Sequence, residues 1–364
     1  MKVLHLDAGM FWRGGQNQVH LLLQEQIKQG MDCRLAARPG SALALKTEGL
    51  CPRLLLKMRN EADLPAALKL GLYCRREKMD IIHAHDARSH GLSLWTKLLN
   101  PKLRIVVHRR VEFLPAGNIY NRLKYSSRNV AACIAVSERV RQAMQGFLPD
   151  NIISVIPDAA ARPVLLSTGQ KNELKQELYR TLNADPALPL ILAAGHLSPE
   201  KGHRSLIEAL HLLKQQGQSF TAVIAGQGSC QRELEGRIME LALGNSVFLP
   251  GFREDVLNLL QISDVYVMPS VSEGLGSGIL EAMACGCPVA ASRAGGIPEI
   301  VRDEMTGLLF EPGHPAQMAE KIRRLLSDRK GAERMGINGK HYVQDNFDPA
   351  VLSQKITELY HQTE

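Results

Sequence analysis

The stretch that most constrains this chain is Ser272-Glu273-Gly274-Leu275-Gly276-Ser277-Gly278-Ile279-Leu280-Glu281. It follows the apolar run Val265-Tyr266-Val267-Met268-Pro269, which reads as a buried strand. It leads into Ile279-Leu280-Glu281-Ala282-Met283-Ala284, good helix formers ended by Gly286 and Pro288. A strand-to-helix loop with three glycines in five positions lets a ligand approach the backbone closely. The helix start adds N–H donors and a partial positive charge, which suit an anion. Glu273 and Glu281 flank the loop with seven residues between them, so they can reach two separate hydroxyl-bearing parts of an extended ligand. The plainer reading leaves Glu281 complementing the helix dipole and Glu273 in water. It explains one glutamate, but not the glycines and both glutamates together.

The rest of the chain alternates strands with helices. Strands are expected at Val3-Leu6, Cys33-Ala37, Leu54-Lys57, Ile81-Ala84, Ile105-His108, Cys133-Val136 and Ile153-Ile156. A second series is expected at Leu190-Ala194, Ala222-Ala225, Val247-Leu249, Val265-Met268, Val289-Ala291 and Leu308-Phe310. Helices are expected between them, for example over 16–29 and 137–145. This alternation predicts α/β architecture: two facing Rossmann-like, doubly wound parallel domains with a cleft between them. Ligands of such sheets bind at the carboxyl ends of the strands. The expected domains are 1–160 and 170–345, with 346–364 a closing helix packed back on the first.

Charge is unevenly shared. Residues 1–157 hold 24 Lys and Arg against 12 Asp and Glu, a net +12, whereas residues 158–364 hold 20 against 25. A basic first half implies an anionic partner: phospholipid, phosphorylated glycan or nucleic acid. Nucleic acid is not expected, because no binding motif accompanies the charge. The seven cysteines contain no C-x-x-C pair and read as reduced core residues of a cytoplasmic protein. No signal peptide and no apolar run of about 18 residues is seen, so no membrane span is expected.

Other loops sit where the same rim would be. Gly14 and Gly15 precede the first helix, though a plain turn explains them equally well. They are not part of a G-x-G-x-x-G, which gives a nicotinamide ligand little support. Gly195-His196-Leu197-Ser198-Pro199-Glu200-Lys201-Gly202 puts Lys201 at a strand's end, where it suits a phosphate clamp. Gly226-Gln227-Gly228 and Gly251-Phe252-Arg253 follow the next two strands, and Gly295-Gly296-Ile297-Pro298-Glu299 follows the strand after the glutamate loop.

Together these residues resemble the family 4 glycosyltransferases, retaining enzymes of the GT-B fold. The resemblance is most specific over 190–312 and looser before residue 150. It implies that Glu281 holds the ribose of a nucleotide and that Glu273 faces the donor sugar. It implies that backbone N–H groups of Leu275, Gly276, Ser277 and Gly278 meet sugar and diphosphate, and that Lys201 binds the diphosphate. Gly14 and Gly15 would close on the donor, with His196, Gly226 and Arg253 beside it. A histidine after a first-domain strand often lies near the reacting sugar in relatives, and His108 fits this best. The alternative for His108 is a partly buried structural histidine. His83 and His85 are less well placed. Asp86, Arg109 and Arg110 are expected at the acceptor.

Two departures stand out. The family usually has Arg where this chain has His196, so His196 is expected to be protonated when diphosphate is bound, with donor affinity falling as pH rises. The interdomain segment Pro157-Asp158-Ala159-Ala160-Ala161 lacks the usual Asn-Gly. No Asp-x-Asp is present, so catalysis without a metal or other cofactor is expected. Retention by front-face attack, the leaving phosphate taking the acceptor proton, is what the resemblance implies.

The basic half suggests the acceptor. Trp95-Thr96-Lys97-Leu98-Leu99-Asn100-Pro101-Lys102-Leu103-Arg104 mixes an aromatic, apolar residues and cations. Arg109-Arg110-Val111-Glu112-Phe113 with Tyr120, Arg122, Lys124, Tyr125 and Arg128 does the same. Each segment alone also reads as a solvated face over a core. Together they suit peripheral contact with an anionic membrane on its cytoplasmic face. The reading is transfer from a UDP-sugar to a phosphorylated or lipid-linked acceptor such as lipopolysaccharide core. The alternatives are a nucleotide-sugar 2-epimerase of the same fold and a non-catalytic, membrane-docked binding protein.

Overall fold

Every strand expected from the sequence forms, and all pair in parallel in the computed structural model, which describes residues 1–112, 119–126 and 128–363. In chain order the strands are β1 (Lys2–Asp7), β2 (Asp32–Ala37), β3 (Arg53–Leu55), β4 (Ile81–Ala84), β5 (Arg104–Arg109), β6 (Ala132–Ala135) and β7 (Ile153–Val155). Then follow β8 (Leu190–Ala194), β9 (Thr221–Ala225), β10 (Val247–Phe248), β11 (Val265–Met268), β12 (Val289–Ser292) and β13 (Leu308–Phe310). Central strands such as β4, β6 and β11 are buried at every residue. Covered on both faces, they read as unbroken apolar runs.

The chain divides into two compact units: Met1–Ala159 with Pro349–Glu364, and Ala160–Asp348. The first holds a seven-stranded sheet of order β3-β2-β1-β4-β5-β6-β7. Its strand order reverses between β1 and β4, which pair from Val3↔Ile81 to Leu6↔Ala84. The second holds a six-stranded sheet of order β10-β9-β8-β11-β12-β13, reversing between β8 and β11. At such reversals the loops diverge and leave a crevice at the strands' carboxyl ends.

Helix ends follow local chemistry. Asp86 caps the helix Ala87–Leu99, Ser137 caps Glu138–Met144, and Ser167 with Gln170 forms a capping box for Thr168–Leu182. The first helix spans Gly14–Lys28, so Gly14 and Gly15 are its opening residues and not a loop before it. Extended backbone at Arg13 sets that earlier start.

In the first unit, the helix Pro349–Gln362 lies against Gly14–Lys28. Ser353 Oγ donates to Gln29 Oε1 at 3.1 Å and Gln29 Nε2 donates to the Ala350 carbonyl at 3.1 Å. Tyr360 is fully buried there. The second unit's core runs from Ile191 and Leu206 through Phe220 and Val265 to Ile322 and Met335. All seven cysteines are free. Among the described residues no helix is long and apolar enough to cross a membrane.

Gly226, at the end of β9, shows what the loops demand. Its φ is +155°, and a Cβ there would lie 1.8 Å from the Gly195 carbonyl oxygen. Gly226 therefore lets the loops after β8 and β9 pack, whatever it does for a ligand. Gly15 has nothing within 4 Å of an added Cβ. Gly226→Ala should cost at least about 2 kcal/mol in urea unfolding. Gly15→Ala, in an open helical turn, should be neutral or stabilising by up to about 1 kcal/mol. Equal effects at the two positions would overturn the packing argument.

Candidate active site

In the second unit the strand reversal brings two distant loops together. The loop after β8 carries Lys201 and the loop after β11 carries Glu273; Lys201 Nζ lies 2.5 Å from Glu273 Oε2. Both are largely shielded, with side-chain exposures of 27% and 14%. Ser270 Oγ donates to the same Glu273 oxygen at 3.2 Å, and the Ser270 carbonyl accepts from Ser292 Oγ at 2.5 Å. A charged pair in reduced solvent, with further hydrogen bonds to one partner, is well oriented.

The backbone holds the pair in place. Val271 N–H donates to the Glu200 carbonyl at 2.8 Å, tying the two loops one residue from Lys201. Gly296 N–H donates to the Glu273 carbonyl at 3.2 Å. Gly295, at φ +52°, would place a Cβ 1.6 Å from that carbonyl, so any side chain there would displace Glu273. Gly276 is the N-cap of the helix Ser277–Ala284, which has no side-chain cap. Leu275 is buried beside it, Ser277 and Gly278 open the helix, and Glu281 sits half-buried in its second turn. His196 is half-buried in the loop after β8. Arg253 is engaged elsewhere: its Nε and Nη2 reach Asp255 at 2.8 and 2.6 Å. A donor contact by Arg253 would have to share or break that fork.

The first unit's reversal gathers His108, His83 and His85 into one cluster with His5, which the sequence did not single out. His5, His83, His85 and His108 come together from β1, β4 and β5 and the residue after β4. His83 and His108 stack at 5.3 Å with an interplanar angle of 4°; His5 and His85 stack at 5.2 Å. His5 Nδ1 and His85 Nε2 are 3.0 Å apart, His5 Nε2 is 2.8 Å from Gln26 Oε1, and His83 Nδ1 is 2.6 Å from Tyr360 Oη. Burial, then neighbouring positive charge, keeps these rings neutral: His5 falls to about 4, and His83, His85 and His108 fall well below the usual histidine value. Ring nitrogens of His5, His83 and His85 lie within 4.8 Å of one another, as in a metal site. Their hydrogen bonds already occupy much of the lone-pair capacity a metal would need.

The expected acceptor residues are placed differently from the sequence reading. Both Asp86 oxygens are used by the fold: Oδ1 accepts from Ser89 N–H at 2.9 Å, and Oδ2 from Ser89 Oγ at 2.7 Å and Ala8 N–H at 2.6 Å. Arg109 donates to Tyr125 Oη at 3.4 Å. Arg110 turns inward, to Asp158 Oδ1 at 2.9 Å, His108 Nδ1 at 3.2 Å and His85 Nδ1 at 3.4 Å. Asp7, at the end of β1, was not foreseen; burial and then the charge of Asp86 push its carboxyl up to about 6. Phe113 lies outside the described residues.

Two α/β units, each with a parallel sheet and a polar site at its strand reversal, have the architecture of the GT-B glycosyltransferases. Residues 12–159 match the model described as Glycosyltransferase Family 4, and residues 175–342 match Glycosyl transferases group 1. These matches take in most of the chain between them, and the protein is a glycosyltransferase. The 2-deoxystreptamine glucosyltransferase of Streptomyces kanamyceticus is 27% identical over 309 residues, 79% of each chain. The crystal structure of Anabaena HepE in complex with UDP and glucose gives a TM-score of 0.87 at 23% identity, covering 99% of both chains. That of WaaG, a glycosyltransferase involved in lipopolysaccharide biosynthesis, gives 0.73 at 16% identity, again over 99% of both.

The buried histidines make a prediction about pH. A base whose folded pKa is depressed contributes stability that is present above its unfolded value of 6.5 and lost as pH falls toward the folded value. For His5 that window runs from 6.5 to about 4 and is worth on the order of 3 kcal/mol. Asp7 acts oppositely between 3.8 and about 6, but it is one group against several. Urea midpoints should therefore drop on going from pH about 7 to about 5, and His5→Gln should flatten the slope. A midpoint that rises on acidification would contradict the neutral assignment.

Proposed function

We propose that the protein transfers a hexosyl group from a UDP-sugar to a phosphorylated or lipid-linked glycan of the lipopolysaccharide-core type, with retention and without a metal. The observation that carries this is the meeting of Lys201 and Glu273 beside the N-terminus of the helix Ser277–Ala284. A diphosphate placed there would take its charge balance from Lys201 and the helix N–H groups, and the same groups would stabilise the phosphate as it leaves. Glu273 would then be released to a sugar hydroxyl, and Glu281 would hold the ribose. HepE, which supports the same reading, is described in complex with UDP and glucose. His108 would face the reacting sugar, and His196 and backbone N–H groups of Leu275 to Gly278 would complete the donor site. A 2-epimerase would release and re-form its product with no acceptor, so epimer formation from UDP-sugar alone is the outcome that would favour that alternative.

Calorimetric titration of UDP tests the donor site. Lys201→Ala should weaken binding about 10–100-fold, the loss of a hydrogen-bonded charge contact. Glu281→Ala should weaken UDP but not inorganic diphosphate. Wild-type affinity for UDP in both variants would end this assignment.

The surface reading changes with the structure. Trp95 packs half-buried against the first unit's core, and Lys124 is buried against Glu61 at 2.7 Å. Lys124 is therefore not available to a membrane, and Trp95 only in part. The helix Leu64–Glu77 instead exposes Leu64, Leu68 and Leu72 at 56%, 50% and 58%, on one face by their spacing, with Lys69, Arg75 and Arg76 also exposed. Leucines among cations suit an anionic lipid interface. The protein should float with anionic vesicles and not with neutral ones, and Leu68→Ser with Leu72→Ser should abolish flotation. Flotation unaffected by that pair would remove this helix from the contact.

A further inference from the structure

We propose that Arg110, clamped by Asp158, is a positioning residue that holds His108 as the neutral tautomer with its proton on Nε2. His108 then meets a substrate oxygen as a hydrogen-bond donor and not as a base. The substrate half of the statement rests on the proposed place of His108 beside the reacting sugar; the tautomer half does not.

A guanidinium carries only N–H donors. Arg110 Nη2 is 3.2 Å from His108 Nδ1 and Nη1 is 3.4 Å from His85 Nδ1, so both Nδ1 atoms accept. In a neutral ring the proton is then on Nε2. His85 Nε2–H donates to His5 Nδ1 at 3.0 Å, and His5 Nε2–H donates to Gln26 Oε1 at 2.8 Å. Gln26 Nε2 donates to Tyr360 Oη at 3.5 Å, and that hydroxyl donates to His83 Nδ1 at 2.6 Å. The directions run from Arg110 to His83 without a clash of two donors or two acceptors. A metal bound by His5, His83 and His85 would have to reverse this order next to a guanidinium charge.

Two N–H groups are left over. Among the described residues neither His108 Nε2 nor His83 Nε2 has a hydrogen-bond partner, although both atoms are buried. An orphaned buried donor costs free energy, so its retention calls for an explanation. His108, 5% exposed, lines a small cavity of about 20 Å³ together with Gln18, Arg110, Asp158 and Ser353. Stacking on His83 fixes the plane of its ring. The charged and titratable groups around it are Arg110, His83, His85 and His5, with Asp158 behind Arg110. Arg110 and Asp158 are themselves shielded, with side-chain exposures of 12% and 8%. A ring held this way presents an N–H that stabilises negative charge developing on a substrate oxygen. It takes no proton at Nε2, which agrees with a reaction in which the leaving phosphate accepts the acceptor's proton.

The test is nitrogen-detected NMR of protein labelled at histidine, with His108→Gln to assign the ring. Wild type should show His108 protonated on Nε2 and not titrating between mildly acidic and mildly alkaline pH. Arg110→Gln should give a tautomer mixture and lower kcat about 10–100-fold with little change in the KM for UDP-sugar, the usual scale for losing an orienting partner. Arg110→Lys should recover part of both. A wild-type proton on Nδ1, or an Arg110→Gln spectrum identical to wild type, would overturn the proposal. Should Arg110→Gln fail to fold, Asp158→Asn keeps the guanidinium, frees its clamp, and should shift the spectrum the same way by less. The spectrum needs no turnover. A protein that moves no sugar would therefore retire the functional reading and leave the tautomer standing, whereas the wrong tautomer sinks this proposal at any activity.

Discussion

The ion pair of Lys201 with Glu273 depends on backbone packing more than on attraction. The two residues are 72 positions apart and belong to loops that leave adjacent strands at the point where sheet order reverses. Those loops approach until carbonyl oxygens stand where Cβ atoms would be. The Pro269 oxygen lies 2.0 Å from the Cβ position of Gly202, and the Glu273 oxygen 1.6 Å from that of Gly295. Coulomb attraction between two partly exposed charges is modest and screened. It could not by itself draw two loops to such contact. The glycines permit the approach, the Val271 and Gly296 amide hydrogen bonds fix it, and the charges then meet at a place already determined.

This explains what was legible in the sequence. Strands buried on both faces appear as apolar runs, so each parallel strand could be located, with ends displaced by a residue or two. The edge strand β3 began at Arg53 and stopped at Leu55, because its pairing with β2 and not its own apolar run sets its length. Glycine-rich loops between strand and helix were legible for the same reason: a loop that must pack without Cβ atoms advertises it. Helix starts were harder. Gly14 and Gly15 read as a turn because glycine usually breaks helices, yet extended backbone at Arg13 lets the helix begin on them.

The first unit's site was largely hidden. His5 and His83 are partners in the β1–β4 register, and His108 arrives from β5, the next strand across. Nothing local links these positions. The resemblance picked out His108 alone, and the one local signal for a cluster was His83 and His85, two apart at a strand end and so on one face. Summed charge misled in a different way. A net count treats Arg110 and Lys124 as surface cations, whereas each is turned inward onto a specific acceptor, Asp158 and Glu61. Sequence reports how much positive charge a unit carries, and only tertiary structure reports how much of it faces water.

The two units thus handle buried charge in opposite ways. The second keeps a lysine and a glutamate as a pair, and in the proposed function a ligand's phosphates would take the place of Glu273 beside Lys201. In the first, four imidazoles are held neutral by desolvation around one guanidinium, and that charge is balanced by Asp158. Arginine suits this better than lysine. Its planar fork presents N–H groups in three directions at once, to a carboxylate and two ring nitrogens, and stays charged where a lysine would be inclined to lose its proton. Removing that charge would not merely break an ion pair. It would free the lone pairs on His108 and His85 to take up protons on either nitrogen, and the order of donors along the whole cluster would no longer be determined.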